Sequence, residues 1–193
     1  MAKLCTYVVR EDTGLAPNPY WNYCTLAVCT PNHQGIRLDE GDWIAGVLTK
    51  ARNHRLLYVM RVAESLDLDA YFHCDRFVKK KPNLKGSWQE RCGDNFYSRG
   101  ADGEWIRHRN RFHLTERLFR QDTKYARAFI GIRFSYFGMA AQRPPEEFAS
   151  LFGGRGSRVN HNPVTQSAFI EWADRILPQG IHGLPCDNPD LAG

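Results

Sequence analysis

Two apolar segments joined by a short polar linker constrain the fold of this chain more than any other feature. Residues 42–48 and 55–64 are rich in aliphatic and aromatic side chains, whereas residues 49–54 between them are polar. Along the second segment the side chains alternate between two faces, and one of these faces is apolar throughout, as on a strand that covers a core. The pattern therefore predicts a β-hairpin.

Three further segments are predicted to be strands, and two are predicted to be helices. The additional strands span residues 4–10, 23–30 and 127–137. A short helix is expected at residues 67–72, with Ser65 or Asp67 as its cap. A longer helix begins at Asn162 and Pro163, because Asn caps a first turn and Pro suits its first position. Apolar residues then recur at helical spacing.

The order of these elements predicts an α+β fold. A small curved antiparallel or mixed β-sheet, or a partly closed barrel, would pack against the C-terminal helix. We expect one domain over residues 1–177. Residues 178–193 are rich in Pro, Gly and Asp and are expected to form a loose tail. The sequence does not indicate an oligomeric state.

Charge and cysteine content limit the class of protein. The net charge of +5 favours partners that carry phosphate, namely a nucleotide or nucleic acid. Cys24 and Cys29, the nearest pair of the six cysteines, fall on opposite faces of a predicted strand, so we expect no metal site. The N-terminal residues lack the apolar stretch of a secretory signal, and no run is long enough to span a bilayer. We therefore expect reduced thiols and a cytoplasmic location, and the sequence identifies no cofactor.

The loop at residues 12–21 combines rigid prolines with polar and aromatic side chains. A rigid loop of this kind can hold side chains in fixed positions around a ligand. Asp12 is a candidate general base in this loop, and Asn18 is a candidate ligand contact. A purely structural turn accounts for the same residues.

Residues 74–103 form a long polar stretch with little periodicity, and long segments of this type are often functional in compact domains. Asp94 is the second candidate general base, because it lies in a glycine-started loop where a carboxylate can reach a ligand. The candidate ligand-binding residues of this stretch are Lys79, Lys81, Asn95 and Tyr97. An ordinary turn at residues 93–95 is the alternative.

The sequence GGRGSR at residues 153–158 is the feature most typical of phosphate binding. Glycines let backbone N–H groups approach a ligand closely, and Arg155 and Arg158 can grip phosphate with two parallel hydrogen bonds. The helix that begins at Asn162 adds its positive end. The motif is not a P-loop, since no Gly-Lys-Ser/Thr follows. A flexible surface loop is the alternative.

Two aromatic side chains are candidates for stacking on a nucleobase. Trp43 follows a Gly-Asp pair at the start of a predicted strand, and Tyr136 lies near the end of another. Burial in the core is the alternative for Trp43.

Several motifs of the chain together resemble a known family. In order, they are YVVR at 7–10, DxGxAPNP at 12–19, CTLAxCxP at 24–31, GDWIxG at 41–46, RF at 76–77, KP at 81–82, GDN at 93–95, YFG at 136–138 and GRG at 154–156. Across residues 4–175 the chain resembles the second nucleotide-modification-associated domain family of bacteria and phages. The resemblance implies an association with modified nucleotides or modified DNA, and it supplies no reaction. The Gly-Asp entry into a strand is also similar to the small PUA-like barrels that read modified bases.

Three functions are compatible with these features. The preferred one is a module that reads a nucleotide or modified base, with aromatic rings on the base, Asp94 and Asn95 at its edge, and basic loops on phosphate. The second is an enzyme that modifies or hydrolyses a nucleotide, with Asp12 or Asp94 as general base. The third is a phage counter-defence or protein-interaction factor that sequesters a nucleotide signal.

Overall fold

A computed structural model of the chain describes residues 2–28, 35–154 and 156–191. The strands are β1 Leu4–Val8, β2 Cys24–Leu26, β3 Trp43–Val47, β4 Leu56–Arg61, β5 Glu64–Asp67, β6 Tyr97–Arg99, β7 Trp105–Arg107, β8 Arg127–Gly131, β9 Arg133–Tyr136 and β10 Gly180–Ile181. The α-helices are α1 Leu68–His73, α2 Trp88–Arg91, α3 Glu116–Thr123 and α4 Pro163–Ile176. Short 3₁₀ helices occupy Lys50–Arg52, Asp75–Lys80, Gly138–Ala140 and Glu146–Leu151.

The hairpin that the sequence predicts lies in the middle of the main sheet, whose strand order is β1-β3-β4-β9-β10. β3 and β4 are antiparallel, whereas β1 pairs in parallel with β3 and β10 pairs in parallel with β9. Two smaller sheets, β2-β8-β5 and β6-β7, are antiparallel. The described residues form a mixed α/β fold with several small sheets, which is compatible with the predicted α+β class, and none of these sheets closes into a barrel.

The segment predicted as one long strand over residues 127–137 is divided between two sheets. β8 belongs to the β2-β8-β5 sheet, and β9 belongs to the main sheet. Ile132 separates the two strands and is 66% exposed. The apolar run continues through this position, so sequence periodicity alone does not reveal the break.

Two apolar clusters fill the interior. The larger one joins the main sheet to α4, where the rings of Phe148 and Phe169 pack edge to face with centroids 5.4 Å apart. Trp43 belongs to this cluster and is only 4% exposed. The smaller cluster is centred on the aromatic side chains of Tyr71, Phe77 and Phe96. Phe77 and Phe96 belong to the long polar stretch at residues 74–103, so the smaller cluster provides this stretch with an apolar core.

The segment after residue 178, for which the sequence favours a loose tail, makes specific contacts with the rest of the chain. It contributes β10, and the backbone N–H of His182 donates to the carbonyl oxygen of Tyr136 at 2.8 Å. Asn188 is buried, and its Nδ2 donates to the carbonyl oxygen of Thr13 at 2.7 Å. The domain boundary at residue 177 stays a prediction. In the described part of the chain, no helix is both long and apolar enough to cross a membrane.

The predicted start of the C-terminal helix provides a test of its local stabilisation. Oδ1 of Asn162 accepts hydrogen bonds from the backbone N–H groups of Val164 at 3.0 Å and Thr165 at 3.2 Å. Asn162→Ala removes this acceptor, and we expect it to lower the free energy of unfolding in urea by about 1 kcal/mol. Asn162→Asp keeps the acceptor and is expected to retain stability. Equal loss in both variants would contradict a capping role.

Candidate functional site

A cleft of about 980 Å³ opens where several loops meet the end of β1. Its lining is contributed by residues far apart in the sequence, which are Tyr7–Glu11, Thr13, Leu15, Ala16, Thr49, Lys50, His54, Arg111–His113, Arg117, Leu118, Gln121, Gly154 and Gly156. We call this feature the basic cleft. Its volume lies at the upper end of the range typical of small-molecule and cofactor sites.

Positive charge dominates the rim of the basic cleft. Arg10, Lys50 and Arg117 are exposed, and none of them forms an ion pair with another residue that the structure describes. Arg111 also lines the cleft, but its guanidinium pairs with the carboxylate of Asp190. Glu11 is the acidic residue of the lining. These three cations, which have no ion-pair partner in the described part of the chain, can therefore attract an anionic ligand.

The glycine-rich loop forms part of the wall of the basic cleft. Gly154 and Gly156 line it with φ values of +85° and +74°, in the left-handed region that favours glycine. Arg158 holds the loop in place, because its backbone exchanges hydrogen bonds of 2.9 and 2.8 Å with Thr6 on β1. Its guanidinium donates to the carbonyl oxygen of Ser150 at 3.3 Å. Arg155, the other candidate from this loop, lies outside the described residues.

A buried acid–histidine pair lies in the wall of the same cleft. His113 lines the cleft and is 3% exposed, and its Nδ1 is hydrogen bonded to Oδ2 of Asp122, which is fully buried. Tyr97 donates its phenol O–H to the same carboxylate oxygen at 2.9 Å. Oδ1 of Asn110 accepts the backbone N–H of His113 at 2.7 Å and so fixes the turn that carries the imidazole. The sequence predicts Tyr97 as a ligand contact. In the structure its hydroxyl is bonded to Asp122, and Tyr97 is not among the residues that line the cleft.

Asp12, predicted as a general base, is fully buried and is not among the residues that line the cleft. Its carboxylate accepts the O–H of Tyr136 at 2.8 and 2.9 Å and the backbone N–H of Cys186 at 3.0 Å. Burial raises the pKa of Asp12, and these hydrogen bonds oppose the rise only in part. Tyr136 is fully buried, so its ring presents no face on which a nucleobase can stack as the chain is folded here.

Asp94, the other predicted general base, belongs to a second buried network. Its carboxylate accepts hydrogen bonds from Thr25 at 2.7 Å and Tyr71 at 2.8 Å, and burial raises its pKa. Nδ2 of the neighbouring Asn95 donates to the carbonyl oxygens of Tyr71 and Phe77 at 3.0 and 3.3 Å. Asp94 and Asn95 thus connect the long polar stretch to β2 and α1.

Lys80, which lies between two predicted ligand-binding lysines, is the cation of this second network. It is 1% exposed, and its Nζ donates to the carbonyl oxygen of Asn18, to Oδ1 of Asn18 and to the carbonyl oxygen of Tyr23, all within 2.8 Å. Burial lowers the pKa of Lys80 to about 8, although the nearby Asp94 carboxylate partly offsets the effect. Asn18, a predicted ligand contact, is fully buried and serves here as a partner of this lysine.

Lys79 and Lys81, on either side of Lys80, have different surroundings. Lys79 is exposed, and Nζ of Lys81 lies 3.8 Å from the ring centroid of Phe72.

Of the ten predicted site residues that the structure describes, none lines the basic cleft, although Glu11, Thr13, Gly154 and Gly156 flank predicted positions. Sequence reasoning missed His113, Asp122, Arg10, Lys50 and Arg117. The alternation of basic and aromatic residues at 105–113 is a local signal near His113, and Arg10 ends the YVVR motif at 7–10.

The fold and the cleft define an α+β protein with a basic, loop-built cleft suited to an anionic ligand. The chain belongs to the family described as nucleotide modification associated domain 2, whose model matches residues 1–190. The resemblance found in the sequence motifs is thereby confirmed. No curated protein and no solved structure matches the chain. Family membership associates the chain with nucleotide modification.

Two adjacent lysines allow the structural role of the buried network to be tested. Lys80→Met leaves the oxygens bonded to Nζ without a donor and leaves the Asp94 carboxylate uncompensated. We expect it to lower the free energy of unfolding by about 3 kcal/mol. Lys79→Met alters an exposed residue and is expected to change stability by less than about 0.5 kcal/mol. Denaturant unfolding at pH 7 measures both.

The same pair of variants gives a pH dependence with a definite sign. Folded Lys80 releases its proton near its lowered pKa of about 8, whereas the unfolded chain retains that proton up to the ordinary lysine pKa of 10.5. Between these values the unfolded state binds more protons, so this residue makes the folded state more stable as pH rises. The stability difference between wild type and Lys80→Met should therefore widen from pH 8 to pH 10. A difference that narrows over this range would contradict a lowered pKa for Lys80.

Proposed function

We propose that the basic cleft binds a nucleotide, or a modified nucleotide presented by nucleic acid, as part of a nucleotide modification system. The observation that carries this proposal is the set of three cations, Arg10, Lys50 and Arg117, that have no ion-pair partner among the described residues and surround a cleft of about 980 Å³. The association of the family with nucleotide modification supports the same ligand class.

Phosphate fits the charge and shape of the rim. An arginine can donate two parallel hydrogen bonds to a phosphate group, and an ammonium provides a compact positive charge. Gly154 and Gly156 carry no side chain, so a phosphate can approach their backbone closely. We therefore assign the phosphate to Arg117, Lys50 and this loop, all of which line the cleft.

The base is assigned to the more apolar part of the lining. Leu15, Ala16 and Phe112 line the cleft there, and Phe112 and Ala16 are partly buried against the smaller apolar cluster. Stacking on an aromatic ring accepts any base, including a modified one. In this proposal Asp94, Asn95 and Asn18 hold the loops together through internal hydrogen bonds, in place of the direct contacts predicted for them.

We further propose that the fold is related to the PUA-like barrels, that the modification system is bacterial or phage-encoded, and that the protein is cytoplasmic. The thiols of Cys5, Cys24, Cys74, Cys92 and Cys186 are unpaired, which fits a reducing compartment. A protein that sequesters a nucleotide signal would use the same cleft. It would release its ligand more slowly than a module that only recognises the nucleotide.

Two arginines on α3 provide a matched test of phosphate binding. Arg117 lines the basic cleft, whereas Arg120 lies on the same helix, outside the cleft, and pairs with Glu116 at 3.3 Å. Calorimetry with the four 2′-deoxynucleoside 5′-monophosphates should show about tenfold weaker binding for Arg117→Ala, because a charge-assisted hydrogen bond is lost. Arg120→Ala should bind as the wild type does.

Two further measurements distinguish phosphate recognition from other kinds of binding. The corresponding nucleosides, which lack phosphate, should bind more weakly than the monophosphates. Affinity for the monophosphates should fall as salt is raised, because released counterions and screening oppose the ion contacts. Equal binding of nucleoside and nucleotide would contradict the proposed role of the rim.

The glycine loop is tested by two glycines that share a backbone conformation. Gly154 and Gly103 have φ values of +85° and +82°, and neither has a backbone atom within 4 Å of an added Cβ. Alanine at either position should cost about 1 kcal/mol of stability through the left-handed backbone. Only Gly154→Ala places a methyl group at the cleft, so only this variant should weaken nucleotide binding. Similar nucleotide binding by both variants would show that the loop does not contact the ligand.

A further inference from the structure

Two arginines on one face of the β6–β7 hairpin each lie over an aromatic ring. The guanidinium of Arg99 is 4.1 Å from the ring centroid of Trp105, which is its direct partner in the register of the two strands. The guanidinium of Arg107 is 5.4 Å from the ring centroid of Phe119. Because side chains alternate between the faces of a strand, Trp105 and Arg107 share a face. We call these four residues the hairpin surface.

The positive charge of the hairpin surface is held in place but is not neutralised. Nη1 of Arg99 donates to a backbone carbonyl oxygen of the hairpin connection at 2.7 Å, and Nη1 of Arg107 donates to the carbonyl oxygen of Thr115 at 2.8 Å. Neither guanidinium forms an ion pair with another residue in the described ranges. A guanidinium has five N–H donors, so both arginines keep donors for a ligand. The acids of the hairpin, Asp102 and Glu104, belong to the connection between the strands.

Helix α3 contributes to both the hairpin surface and the basic cleft. Phe119 lies on this helix under Arg107, and Thr115, the acceptor of the Arg107 hydrogen bond, is its cap residue. Arg117 on the same helix lines the cleft. The segment that follows β7 also leads there, because residues 111–113 are part of the cleft lining. The hairpin surface therefore adjoins the cleft through two separate segments.

We propose that the hairpin surface binds single-stranded nucleic acid, which crosses Arg99, Trp105 and Arg107 while one of its nucleotides occupies the basic cleft. The link to the cleft rests on the proposed nucleotide binding. A guanidinium binds phosphate through charge-assisted hydrogen bonds, and indole and guanidinium planes both stack on unpaired bases. Trp105 and Arg107 are about 6.6 Å apart along β7. A ring and a charge thus alternate on this surface, as base and phosphate alternate along a strand.

An unpaired strand fits this surface better than a duplex does. In a duplex each base is covered by its neighbours in the stack, so an aromatic side chain has no base face to contact, whereas a single strand exposes those faces. A nucleotide that enters a cleft must also leave the stack, and this costs least in a strand that is already single. The partner is therefore identified by exposed bases together with a phosphate backbone.

The test compares binding of a strand with binding of one nucleotide by the full chain. Fluorescence anisotropy with a fluorescein-labelled oligo(dT) about twelve nucleotides long measures strand binding, and calorimetry with dTMP measures binding in the cleft. We expect the wild type to bind oligo(dT) at least about tenfold more tightly than dTMP, because further bases stack on the hairpin surface. Oligo(U) of the same length distinguishes RNA from DNA, and tight binding of either strand supports the proposal.

Two variants separate phosphate contacts from stacking. Arg99→Gln should weaken oligo(dT) binding about fivefold and lower the slope of log affinity against log salt by about 0.7, because one phosphate contact is lost. It should leave dTMP binding unchanged, since Arg99 does not line the cleft. Trp105→Leu should weaken oligo(dT) binding about tenfold without changing the salt slope, because stacking releases no counterion. If Trp105→Leu fails to fold, the exposed Arg99 still tests the surface.

Arg76→Gln is the matched control. The guanidinium of Arg76 is 4.8 Å from the ring centroid of Phe77, but it also pairs with the carboxylate of Glu64 through hydrogen bonds of 2.6 and 2.9 Å. The substitution removes the same charge as Arg99→Gln and should leave oligo(dT) binding as in the wild type. Equal weakening in the two variants would show that only net charge matters, and it would overturn the assignment to the hairpin surface.

The other outcomes separate this inference from the proposed function. Binding of dTMP with no tighter binding of either strand overturns the strand surface and leaves nucleotide binding in the cleft standing. Binding of an oligo(dA)·oligo(dT) duplex as tightly as oligo(dT) overturns the preference for a single strand. Strand binding that depends on Arg99, without binding of dTMP, supports the hairpin surface and overturns the assignment of a nucleotide to the cleft. Absence of all binding overturns both proposals.

Discussion

The buried ammonium of Lys80 is the contact on which the arrangement of the loops depends. Its three hydrogen bonds tie the 3₁₀ helix Asp75–Lys80 to the loop before β2, and Asp94 extends the connection to Thr25 on β2. This part of the chain contains little regular structure that could hold it through repeated backbone pairing. A buried polar network supplies that order, and its low dielectric surroundings make each missing partner costly. Lys80 and Asp94 therefore hold together the 3₁₀ helix Asp75–Lys80, the loop before β2 and β2 itself.

The elements that the sequence predicts well are those whose signals are local. The β3–β4 hairpin follows from alternating apolar residues on both sides of a polar linker, and α4 follows from Asn162 and its apolar stripe. The break at Ile132 has no such signal, because Ile132 is itself apolar and apolar residues continue on both sides of it, at Ile130 and Phe134. Which sheet a strand joins is decided by tertiary packing.

The candidate site was harder to predict for a different reason. A polar side chain in a glycine- or proline-rich loop looks the same in sequence whether it faces a ligand or completes an internal network. Asp12, Asn18, Asp94 and Asn95 all belong to internal networks here. The cleft, in contrast, is assembled from positions that are distant in the chain, and Asp122 reaches His113 across nine residues without a recognisable spacing.

The pairing of Thr6 with Arg158 has a consequence beyond the shape of the cleft. β1 is the edge strand of the main sheet, and an edge strand offers unpaired N–H and C=O groups to any extended segment of another molecule. Arg158 occupies both backbone groups of Thr6 in the middle of that edge. The loop that contributes to the cleft thus also protects the sheet from edge-to-edge association, so a substitution that detaches this loop would expose a strand to aggregation.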